Sequence, residues 1–94
     1  MPLTVIATMR SQPGQRAALL PLLDALCQAT LQEQGCLQYV PNLDPADPDC
    51  VVMVEVWQDQ AALDTHAAST HVRHFREQAA PLLASLAVRL LQPY

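Results

Sequence analysis

Residues 50–71 read CVVMVEVWQDQAALDTHAASTH. From Cys50 to Trp57 the run is apolar and β-branched with one carboxylate, Glu55, a composition that suits a pleated strand. Side chains alternate along a strand, so Val51, Met53, Glu55 and Trp57 share one face and Val52, Val54 and Val56 the other. A strand apolar on both faces has to be covered twice. One cover is expected from the helices of the same chain, the other from a second subunit. Asp59 then stands where an N-cap belongs, opening a short helix that contains Leu63 and His66.

Upstream, LTVIATMR (3–10) is a strand that stops at Ser11-Gln12-Pro13-Gly14. From about 15 to 34, Leu19, Leu22, Leu23, Leu26 and Thr30 fall at helical spacing, with Asp24 and Gln28 opposite. Pro21 lies on that polar side, so the helix is expected to continue through it with a kink, and Gly35 to end it. CLQYVPNL (36–43) reads as a second strand, and DPADPD (44–49) as the loop leading into the strand that starts at Cys50.

Downstream, Ser69 or Thr70 caps another helix, in which Val72, Phe75, Ala79 and Leu82 share a face and Pro81 marks the end. SLAVRLLQ (85–92) alternates enough for a last strand. The order β-α-β-β-α-α-β matches the split βαβ, ferredoxin-like plan: an α+β domain spanning 1–94, with a four-stranded antiparallel sheet and helices on one face. No internal repeat or linker interrupts it.

Composition narrows the function. At 94 residues, only roughly 60 to 65% of the chain's surface can be buried on folding, yet 51% of the residues are hydrophobic and 15% charged. That surplus points to a homo-oligomer, a homodimer first. The net charge is −4, there is no lysine, and the five arginines are scattered, which argues against a nucleic-acid surface. Cys27, Cys36 and Cys50 lack Cys-x-x-Cys spacing, so buried, reduced thiols of a cytoplasmic protein are expected. No signal peptide and no membrane span is visible. With two glycines there is no phosphate-binding loop and no Gly-x-Ser-x-Gly elbow.

What remains is a small set of polar and aromatic side chains. Glu55 sits between Met53 and Trp57; it is either a structural ion pair or hydrogen bond, or an acid or base in a pocket, with its pKa raised by burial. Trp57 is either core or a flat wall for a planar ligand. His66 shares a helical face with Leu63, His71 opens the next helix at the edge of the Val72/Phe75 face, and His74 turns away. The spacing His-x4-His-x2-His matches no common zinc set and no acidic residue lies in the same turns, so no metal is expected.

The segments EQGCLQY (33–39), EVWQDQAALDTH (55–66) and STHVRHF (69–75) resemble the antibiotic biosynthesis monooxygenase family of small dimeric α+β barrel proteins, over about residues 3 to 91. Glu33, Gly35, Leu37 and Tyr39 fall on its Glu-x-Gly-x-x-x-Tyr stretch. Glu55, Trp57, Ala62, Leu63, His66, His71 and Phe75 follow its Glu-x-Trp, Ala-Leu-x-x-His and His-x-x-x-Phe pattern. The resemblance implies two ferredoxin-like sheets closing into a dimeric barrel, a ligand cavity in each subunit, and monooxygenation with neither flavin, haem nor metal. Such chemistry requires a substrate that supplies its own electrons to O2, as a deprotonated quinol or anthrone does.

On that resemblance Trp57, Met53, Leu63 and Phe75 would wall the cavity, His66 or His71 would take the proton, with Glu55 as a further acid or base, and Tyr39 would donate to an oxygen. Haem-degrading relatives resemble one another in an asparagine on the first strand, which LTVIATMR lacks. Some polyketide-tailoring members carry polar residues where this chain has Met53 and Leu63. Other readings are a dimeric small-metabolite-binding or stress-related module that does not transform its ligand, and an isomerase of a small carbonyl compound in which Glu55 and a histidine exchange protons.

Overall fold

The computed structural model describes residues 1–94. The elements are β1 (Leu3–Ser11), α1 (Arg16–Thr30), β2 (Cys36–Leu43), β3 (Cys50–Trp57), α2 (Gln60–Ala67), α3 (Thr70–Ala79), a 3-10 turn at Ala80–Leu82, and β4 (Leu83–Leu91). All pairings in the four-stranded sheet are antiparallel and the spatial order is β2-β3-β1-β4. This is the ferredoxin-like α+β plan expected from the sequence.

Alternation along the strands sets the core. Leu3, Val5, Ala7, Met9 and Ser11 of β1 are buried, as are Val51, Met53, Glu55 and Trp57 of β3, because these faces meet the helices. The intervening Val52, Val54 and Val56 are only half-buried. Leu19, Leu23, Leu26 and Thr30 of α1 lie over the sheet, and Val72, Phe75 and Ala79 of α3 complete the layer. Pro41 is tolerated in β2 because that strand is an edge of the sheet, where a missing N–H breaks no second ladder.

Several boundaries differ from the sequence reading. Helix α1 runs through Pro21 but stops at Thr30 rather than near residue 34, and Gly35 is not its cap. Instead Gly35 closes the tight turn into β2 at φ +91°. The position its Cβ would occupy is 2.6 Å from the Cβ of Ala62 on α2, so only a residue without a side chain lets this turn seat against that helix. Helix α3 gives way to the 3-10 turn at Ala80, ahead of Pro81, and β4 begins at Leu83 rather than residue 85. Of the cysteines, all free, Cys50 alone is fully buried; Cys27 and Cys36 are half-buried, where burial pushes both thiols up in pKa.

Local polar contacts hold the frame. Asp59 Oδ1 accepts from the Ala62 N–H at 2.9 Å and caps α2. Ser69 Oγ accepts from the Val72 N–H at 3.3 Å to cap α3, and donates to the carbonyl of His66 at 2.6 Å. The guanidinium of Arg16, at the start of α1, donates to the carbonyls of Asp44, Asp47 and Cys50, tying the β2–β3 loop to the helix layer.

The two positive-φ glycines provide a stability test. Gly35→Ala combines left-handed strain with a clash against α2 and is expected to cost roughly 2 to 4 kcal/mol. At Gly14, φ +76° with nothing within 4 Å, the same change should cost only about 1 kcal/mol. Urea denaturation of both variants measures the difference; equal losses would contradict the packing of the Gly35 turn on α2.

Candidate functional site

Between the sheet and helices α2 and α3 lies a mostly apolar cavity of about 320 Å³, whose lining includes Val5, Ala7, Met9, Met53, Leu63 and Phe75. Its polar lining is Tyr39, Glu55, Gln60, Asp64, His66 and Arg76. The mouth runs along β4, where Leu86 and Val88 contribute to the lining yet remain 44% and 61% exposed. They share a face with Met9 and Ala7, to which they are paired, but no helix reaches far enough across the sheet to cover them.

His66 is the buried polar centre of this space. The last turn of α2 carries it, and the Ser69 bond to its carbonyl fixes that turn. Its ring lies against the indole of Trp57, centroids 4.5 Å apart, and meets Tyr39 edge-on at 5.3 Å. Nδ1 is 2.6 Å from Oε2 of Glu33, while Nε2 has no protein hydrogen bond. An ionised carboxylate is acceptor-only, so a neutral ring in this contact would carry its proton on Nδ1 and its lone pair on Nε2.

Glu33 also receives His71. Nε2 of that ring is 2.9 Å from the same Oε2. His71 does not line the main cavity; it borders a separate small recess with Leu22, Leu26, His74 and Phe75. The sequence had singled out His66 and His71 together, and their meeting point is Glu33, from the turn between α1 and β2. Trp57 likewise is not a cavity wall. It is fully buried behind His66 and Tyr39 and donates from Nε1 to Oε1 of Glu55 at 3.0 Å.

Electrostatics follow from burial. The carboxyl of Glu55 is raised above its ordinary value of 4.5, chiefly by burial, with the Trp57 hydrogen bond and nearby His66 partly offsetting this. Burial, reinforced by the Glu55 carboxylate, also pushes the Tyr39 hydroxyl well above its ordinary value, so Tyr39 stays a neutral donor. Beside it the hydroxyl of Thr30, fully buried, meets no partner in hydrogen-bond geometry. Tyr39, Met53, Glu55, Leu63, His66 and Phe75 all line the cavity.

Residues 2–78 match the family model described as Antibiotic biosynthesis monooxygenase. The chain belongs to this family. The Escherichia coli K12 protein named "Probable quinol monooxygenase YgiN" is 35% identical, covering 97% of this chain and 97% of its own length. The crystal structure of PA3566 from Pseudomonas aeruginosa superposes with a TM-score of 0.93 at 36% identity, over 99% of this chain and 94% of that one. The structure of Rv0793 from Mycobacterium tuberculosis gives 0.92 at 35% identity, over 100% and 94%.

Within this family member the sequence reading missed the role of Glu33, which it noted only as part of the Glu-x-Gly stretch before β2. It also passed over Gln60, Asp64 and Arg76, exposed residues on the cavity side of α2 and α3. Helical spacing held a signal for Asp64, next to Leu63, and Arg76, next to Phe75. For Glu33 the local pattern held none, because its partners are 33 and 38 residues away.

A carboxyl whose pKa is higher in the folded than in the unfolded chain lets the folded state bind more protons between the two values, so stability falls as pH rises through that window. Glu55 therefore contributes a decline that begins above pH 4.5. Glu55→Gln keeps an oxygen acceptor for the indole N–H and is expected to raise the melting temperature at pH 7 and flatten that decline. Thermal melts from pH 4 to 8 check it; an unchanged pH profile would contradict a buried carboxyl whose desolvation is only partly offset.

Proposed function

We propose that this protein oxidises a small planar phenolic compound, of the quinol or anthrone kind, with O2 and without a bound cofactor, His66 serving as general base. The observation that carries this reading is the Glu33–His66 contact, which leaves Nε2 without a protein partner on a ring that lines a mostly apolar cavity. Family membership and the similarity to the E. coli protein named "Probable quinol monooxygenase YgiN" support it.

The reaction divides among the side chains as follows. A substrate hydroxyl gives its proton to Nε2 of His66, and Glu33 stabilises the imidazolium that results. The phenolate is electron-rich enough to reduce O2, and one of its ring carbons bonds to oxygen. The peroxide O–O bond then breaks as water leaves, so a quinol and O2 become a hydroxyquinone and H2O. The Tyr39 hydroxyl, kept neutral by burial, donates to the developing oxyanion. Apolar walls at Met53, Leu63 and Phe75 admit O2 and exclude competing water.

A homodimer belongs to the same proposal. The half-buried outer face of β1 and β3 and the exposed Leu86, Val88 and Leu90 of β4 are more apolar surface than a monomer ordinarily leaves open. A second subunit reaching over Leu86 and Val88 would close the cavity mouth. Sedimentation equilibrium should give twice the mass of one 10.3 kDa chain, and Val88→Asp should shift it toward the monomer with loss of activity.

The arrangement of Glu55 and His66 on one cavity also suits an isomerase of a small carbonyl compound, exchanging protons between the two groups. Oxygen separates the readings. Incubation with a panel of quinols and anthrones should consume O2, stop in anaerobic buffer, and slow roughly 100-fold or more in His66→Ala. Uptake no greater than buffer, or undiminished in that variant, would overturn the oxygenase reading; turnover of a carbonyl substrate without O2 would favour the isomerase.

A further inference from the structure

We propose that Glu33, His66 and His71 form a binding site for a divalent transition-metal ion, for which Zn2+ is the simplest probe, and that the bound ion and the base form of His66 exclude one another. The first half stands on geometry alone; the second rests on the role given to His66 under Proposed function.

One ligand atom from each residue, Oε2 of Glu33, Nδ1 of His66 and Nε2 of His71, lies within 4.8 Å of the others. Both ring nitrogens are directed at the same oxygen, at 2.6 and 2.9 Å. One point is therefore within reach of both rings, as an ion shared by two imidazole ligands requires. An ion about 2.0 to 2.1 Å from each nitrogen would take nearly the place now held by Oε2, with the carboxylate drawn back by roughly 2 Å to become the third ligand.

The widest separation must close to roughly 3.3 Å for tetrahedral ligation. His71, whose side chain is 27% exposed, has the freedom to move; His66, at 9%, is the fixed ligand. The exposed side of His71 leaves a fourth position for water. Two neutral imidazoles and one carboxylate partly neutralise a dication and match the borderline softness of Zn2+. The acidic ligand that the histidine spacing lacks is delivered from the α1–β2 turn.

Proton positions make the two states incompatible. Without an ion, His66 Nδ1 and His71 Nε2 each carry the proton they donate to Glu33. An ion needs lone pairs on those atoms, so neither can keep its proton there, and a neutral His66 ring ligated through Nδ1 carries its proton on Nε2. His66 Nε2 is then a donor and can no longer accept a substrate proton.

Calorimetric titration of the whole, chelator-treated protein with Zn2+ should show saturable binding of one ion per chain and a raised melting temperature. Co2+ should develop visible bands of a nitrogen- and oxygen-ligated site. Glu33→Gln and His71→Asn should each weaken binding by about 100-fold or more, while His74→Ala, outside the cluster, should not. Circular dichroism of the ion-free variants separates lost ligation from lost folding, and His71→Asn, at a partly exposed position, is the variant expected to stay folded. No saturable binding, or binding unchanged in folded His71→Asn, overturns the site.

In the oxygen-uptake assay, Zn2+ should inhibit with the same midpoint as binding. Saturation without inhibition overturns the exclusion of base by ion. A wild-type protein that binds Zn2+ but consumes no O2 overturns the oxygenase reading and leaves the metal site standing.

Discussion

A single carboxylate oxygen, Oε2 of Glu33, is held between two imidazole rings, and the organisation of the helix layer can be traced from that contact. Its three residues come from the turn before β2, the last turn of α2 and the first turn of α3. To bring them together the α1–β2 turn must press onto α2, and Gly35 allows it by presenting no Cβ to Ala62. The Ser69 hydroxyl, bonded to the His66 carbonyl and to the Val72 N–H, fixes the angle between α2 and α3 on the other side. Backbone geometry thus serves the side-chain cluster as much as the core.

Behind the cluster lies a wall of low polarity. Trp57 is fully buried, with His66 against its face and Tyr39 at its edge, so the site's polar atoms sit where water screens them poorly. This strengthens hydrogen bonds that are made and penalises charges that are not compensated. Glu33 and Glu55 show the two outcomes. Glu33 is bridged by two histidines; Glu55 has one indole N–H as its hydrogen-bond donor and is displaced toward its neutral form. Two carboxyl groups near one histidine therefore hold different chemical roles open, one orienting the ring and the other facing the cavity.

The open side of the cavity reflects a simple limit on coverage. The helix layer spans β1, β2 and β3 and leaves β4 bare from Ala84 onward. Its inward-facing leucines and valine continue the surface of the core without anything above them. A chain this short has too few helical residues to cover four strands, so completing the cavity is a problem of assembly rather than of folding alone.

Much of this was legible in the residue order. Alternation in CVVMVEVW, leucines at helical spacing and caps at Asp59 and Ser69 determined the element types, the inward faces and the ferredoxin-like topology, because these patterns depend on periods of two or 3.6 residues within one segment. The same patterns put Tyr39, Met53, Glu55, Leu63, His66 and Phe75 on faces that the fold turns toward one cavity. They could not reveal that Trp57 lies behind the cavity instead of lining it, that His71 opens on a different recess, or that Glu33 joins the histidines. Those facts depend on how far the helices slide across the sheet and on where a glycine turn meets a neighbouring helix. They are distances between segments remote in the chain, which only packing in three dimensions decides.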